Sequence, residues 1–76
     1  MIFKVSDYRH GKADLIKHIR RNNNDVTKLS YYCASFTLPV AAAIVFCIEE
    51  FPEHSEVLEK NLESIKQFYG YDEIVE

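Results

Sequence analysis

Between Lys28 and Glu49 the chain reads L-S-Y-Y-C-A-S-F-T-L-P-V-A-A-A-I-V-F-C-I, from Leu29 to Ile48, twenty residues without a charge. That length suffices to cross a bilayer as a helix. In water, a helix that is apolar all round must be buried on every side. The stretch therefore poses two readings, a membrane span or the central helix of a small core. Arg20, Arg21 and Lys28 precede it and Glu49 and Glu50 follow it, an asymmetry that would keep the N-terminal side in the cytoplasm. Yet Ser30, Tyr31, Tyr32, Ser35 and Thr37 make its first half only mildly apolar. Strong apolarity is confined to Val40–Ile48, and runs that short suit a core helix. The buried reading is favoured.

Working outward, both flanks read as one-faced helices. Over Lys12–Asn22, Leu15, Ile16 and Ile19 recur at helical spacing while Lys17, Arg20 and Arg21 fall opposite. Asn22, Asn23 and Asn24 tolerate the left-handed backbone that ends helices, and Asn24 or Asp25 can cap what begins at Val26. Beyond Pro52, Val57, Leu58, Leu62, Ile65, Phe68 and Tyr69 form an apolar stripe, with Glu56, Glu59, Lys60, Glu63 and Lys66 on the wet side. Gly70 is a stop signal. Inside the central segment, Val26–Phe51, Pro39 either kinks the helix or splits it into Val26–Phe36 and Pro39–Glu50, with Thr37 or Leu38 as cap. A kinked, near-continuous element is the reading adopted. The expected fold is one all-α domain over residues 1–76, a three-helix bundle that becomes four if Pro39 splits the spine. Ile2–Val5 and the tail after Gly70 are each compatible with a short strand, though no turn signal pairs them.

Seventy-six residues bury only about 60–65% of their unfolded surface, so a further source of stability is expected. The two cysteines, Cys33 and Cys47, would stand about 21 Å apart on one continuous helix, too far to bridge. Free thiols and the lack of a basic-then-apolar leader or lipidation motif favour a reducing, cytoplasmic setting. Self-association as a dimer is the expected supplement, with Ala34, Ala41, Ala42, Ala43, Tyr69 and Tyr71 as interface candidates. Phe36, Phe46 and Phe68 read as core. Val45 lies mid-spine, where an aspartate would bury an unpaired carboxylate and unfold the chain.

Residues 1–28 hold seven Lys/Arg and three Asp, a net +4, whereas residues 29–76 hold two Lys and nine acids, a net −7. The overall charge of −3 and a basic footprint of one short helix disfavour nucleic acid as the main ligand. His10, Asp14 and His18 share an i, i+4, i+8 spacing, but Gly11 disturbs helix there and no fourth ligand completes a metal sphere. Neither thiol has a neighbour that would activate it, and no motif for a cofactor, phosphate loop or catalytic constellation is present. The expected class is thus a non-enzymatic binding, inhibitory or regulatory module acting on a protein partner. The second reading is an anion site, with Lys17, Arg20 and Arg21 clamping a phosphate while Tyr31 or Tyr32 stacks on a base.

Overall fold

The computed structural model describes all 76 residues as four α-helices and a two-stranded sheet. Strand β1 (Ile2–Lys4) leads through a 3-10 turn, Val5–Gly11, into α1 (Lys12–Arg21). Helix α2 (Leu29–Phe36) follows a 3-10 turn at Val26–Lys28. Helices α3 (Val40–Glu50) and α4 (Ser55–Tyr69) are joined by a third such turn at Pro52–His54. Strand β2 (Glu73–Val75) closes the chain.

The spine is split, not kinked, and the adopted continuous reading is corrected. Thr37 takes a left-handed conformation (φ 56°) that ends α2, and Leu38 N–H donates back to the Cys33 carbonyl at 3.1 Å. Pro39 stands extended just before α3, at ψ 143°. Its ring disfavours helical backbone at Leu38, so the break falls before the proline and leaves no interior hydrogen bond to lose. Neither Thr37 nor Leu38 provides a side-chain cap for α3. At about 1.5 Å per residue the two pieces span roughly 12 and 16 Å, well under a bilayer core of about 30 Å. No helix is long and apolar enough to cross a membrane, and the span over residues 29–48 is not formed.

Helix α3 is the centre. Ala41, Ala42, Ala43, Ile44, Phe46 and Cys47 are buried, against Leu15, Ile16 and Ile19 of α1, Leu29, Tyr32 and Cys33 of α2, and Leu58 of α4. Three consecutive alanines let neighbouring helices close on the spine, and this role removes Ala41–Ala43 from any surface a second copy could meet. Val45 is only half-buried; Ala42 and Phe46, both 0% exposed, occupy the interior assigned to it. The α1 exit is as expected: Asn23 and Asn24 are left-handed (φ 61° and 57°), and Asp25 Oδ1 accepts from Thr27 N–H at 3.0 Å. These bonds to Thr27 hold the Asp25 carboxyl below its usual range.

Folding α2 against α3 brings the cysteines near one another, so the 21 Å separation on one helix does not apply. Both are free and buried. Burial pushes the Cys33 thiol up to about 11 and Cys47 to about 12, the latter raised further by Cys33. Inert thiols result.

The terminal strands do pair, in parallel, with Ile2 opposite Glu73, Phe3 opposite Ile74 and Lys4 opposite Val75. A parallel pair needs a long crossover and no hairpin turn, which is why no turn signal announces it. Phe3 is buried between the rings of Tyr8 (5.4 Å) and Tyr71 (5.1 Å).

Candidate binding site on the basic helix

The face of α1 turned away from α2 is lined by cations at positions 12, 17, 20 and 21, with Arg9 of the preceding 3-10 turn in continuation. Ala13 and Ile16 floor an open groove of about 660 Å³, whose single acid is Glu50 from the end of α3. Helical spacing alone aligns these residues: positions three and four apart share a face.

The cations divide into two sets. Arg9 donates through both terminal nitrogens to the Glu49 carboxylate (3.0 and 2.8 Å), and also to Glu76; Lys12 adds a third bond to Glu49 at 2.9 Å. The Arg9 guanidinium also lies 5.5 Å from the Phe46 ring centre. Its paired hydrogen bonds drive the Glu49 carboxyl down to about 2 and raise Arg9 above its ordinary value. Arg9 and Lys12 are therefore committed to fastening α1's approach onto the end of α3.

Lys17 and Arg21 make no ion pair, and Arg20 has only a long one, 3.9 Å to Glu50. Arg20 is nonetheless oriented, its guanidinium stacked 5.2 Å from the buried Phe51 ring. Stacking on a ring leaves the planar fork free for a carboxylate or phosphate. Within the chain Glu49 meets Arg9 and Lys12, and Glu50 meets Arg20.

Tyr31 and Tyr32 are not part of this groove. They line a separate concavity of about 520 Å³ with His18, Asn22 and Lys28, and His18 projects roughly 160° round α1 from Arg20. Tyr32 is buried edge-on against His18 (5.1 Å), its hydroxyl without a protein partner. A buried ring cannot stack on a base, so the nucleobase platform is lost from the clamp. Of the two tyrosines only Tyr31 is exposed.

His10 lies in the 3-10 turn while His18 packs on Tyr32 and Phe36, and no three His, Cys, Asp or Glu side chains gather as a metal group. Among the interface candidates, Ala34 is exposed, Tyr69 is exposed and stacks on half-buried Tyr71 at 5.6 Å. Phe68, read as core, is 80% exposed. It stands about 70° off the inward line of Leu58 and Ile65, so the apolar stripe is narrower than its spacing suggests.

Glu49 and Glu76 as partners of Arg9 were missed. Nothing in the local pattern marks them, because they lie 40 and 67 residues away. Neither the protein-family models nor the curated proteins and solved structures compared with this chain give a match.

Proposed function

We propose that this chain is a non-enzymatic binding module whose ligand is an acidic segment of a partner protein, held along the α1 groove by Lys17, Arg20 and Arg21. The observation that supports it is the division of the cations: two are satisfied by Glu49, and three face an open groove without a short-range partner. Unsatisfied clustered cations attract and orient an anionic surface. An open groove suits an extended chain better than a small molecule, which needs enclosure. Occupying a partner's acidic patch would act in a regulatory or inhibitory way, and the inert buried thiols favour a reducing, cytoplasmic setting.

The second reading, a phosphorylated small ligand, keeps the same cations but has no aromatic platform beside them. Calorimetry with a glutamate-rich peptide, inorganic phosphate, ATP and a cyclic dinucleotide separates the two. The expected result is heat with the peptide, weakened by added salt and abolished in Lys17→Glu/Arg21→Glu, a variant of exposed residues whose melting should be unchanged. Heat only with the nucleotides would replace the reading. No heat with any ligand would overturn both.

A further inference from the structure

Two arginines reach α3 in the same way and end differently. Arg9 lies 5.5 Å over the ring of Phe46 and Arg20 lies 5.2 Å over the ring of Phe51, and both rings are buried. A planar guanidinium on an aromatic face keeps its N–H donors at its edge, where they match the two oxygens of a carboxylate. Arg9 shows what that edge holds: both terminal nitrogens donate to the Glu49 carboxylate, at 3.0 and 2.8 Å. Arg20 donates to nothing. The nearest acid, Glu50, stands at 3.9 Å, beyond hydrogen-bond distance. The Arg20 side chain is 54% exposed against 36% for Arg9, so its edge is open to the groove. Lys17 and Arg21 line the same groove but have no ring beneath them.

We propose, on the reading of the α1 groove as the ligand site, that Arg20 is its specificity-determining residue and forms a seat for one side-chain carboxylate of the acidic partner. The carboxylate is gripped through two hydrogen bonds, as Arg9 grips Glu49 within the chain. The stack on Phe51 holds the fork before the ligand arrives, so little freedom is lost on binding. Lys17 and Arg21, with no ring to fix them, supply charge that draws an acidic segment in but no set geometry. Glu50 is the resident competitor. It is the only acid lining the groove; its carboxylate repels an incoming one and, by turning towards Arg20, closes the fork as Glu49 closes that of Arg9. The groove thus selects for geometry at one position and for charge at the others.

Calorimetry with a glutamate-rich peptide reads the seat, its C-terminus amidated so that only side-chain carboxylates are offered. Arg20→Lys keeps the charge and loses the fork, and should weaken binding about tenfold. Its melting should be unchanged, since the side chain is exposed. The slope of affinity against salt should stay that of the wild type, because no charge is removed. Arg21→Lys, the same exchange one residue on, should cost less than about twofold. Glu50→Gln removes the competitor and should tighten binding about threefold. If the wild type gives no heat, the groove reading falls and the seat with it. If the wild type binds but Arg20→Lys weakens it no more than Arg21→Lys does, the groove stands and the Arg20 seat is overturned. A flatter salt slope in Arg20→Lys would overturn the fork and leave charge as its whole role. A Glu50→Gln variant that binds no tighter than wild type would overturn the competition.

Discussion

Exchanging the residues at Thr37 and Gly70 tests what terminates the helices. Both stand left-handed just past a helix end, at φ 56° and 69°. In both places the next residue's N–H closes back on a carbonyl five residues earlier, Leu38 to Cys33 at 3.1 Å and Tyr71 to Lys66 at 3.0 Å. One position carries glycine, which adopts this backbone freely, and the other a β-branched residue, which does not. A left-handed non-glycine residue costs roughly 1–3 kcal/mol, and glycine gives back about 0.5–1 kcal/mol as extra unfolded-state entropy. Thr37 is exposed and its hydroxyl makes no hydrogen bond, so little else is lost. Thr37→Gly should therefore stabilise by about 1 kcal/mol, a rise in Tm of about 4–8 °C for a domain this size. Gly70→Thr should fall by a similar amount, and for the backbone alone, because an added Cβ there meets nothing within 4 Å. Thermal melting followed by circular dichroism at one fixed concentration decides it. A Thr37→Gly Tm at or below wild type, beside a normally destabilised Gly70→Thr, would refute strain at the α2–α3 break.

Two further outcomes are expected. Glu49, held down to about 2 by Arg9 against an ordinary 4.5, is a depressed carboxylate. Its contribution is present above about 4.5 and is lost as pH falls towards 2. After allowance for partial exposure it is worth about 1–2 kcal/mol. Glu49→Gln should flatten denaturant stability across that window, and an unchanged acid slope would remove the clamp from the account. Tyr32→Phe deletes a buried hydroxyl without a protein partner, so stability should hold or gain up to about 1 kcal/mol; a larger loss in urea titration would mean that the hydroxyl is satisfied.

What was legible in the sequence was local. The 3.6-residue period of Leu15, Ile16 and Ile19, the asparagine exit with its Asp25 cap, and the Gly70 stop each act within a turn or two of the chain, and α1 and α4 begin and end close to where those signals stand. Within the uncharged stretch, the strongly apolar run Val40–Ile48 identified the central helix, whose Ala41–Ile44, Phe46 and Cys47 are buried, whereas the milder first half keeps an uncharged wet face at Ser30, Tyr31, Ala34 and Ser35. The basic set Lys17, Arg20 and Arg21 was legible for the same reason, one helix face being a matter of spacing.

Tertiary structure decided the rest. Whether Pro39 kinks or splits the spine turns on which outcome packs better, and splitting lays α2 on α3, brings Cys33 towards Cys47 and encloses all three alanines. Which aromatic rings are buried also depended on helix rotation: Tyr32 went inward, Phe68 outward. Which cations stay free was settled by Glu49 and Glu76, distant in sequence, reaching Arg9 and Lys12 but not Lys17 or Arg21. The parallel pairing of β1 with β2 likewise left no local trace. Backbone preferences are set by near neighbours and can be read from them, whereas burial and charge pairing are properties of surfaces that come into being only when distant segments meet.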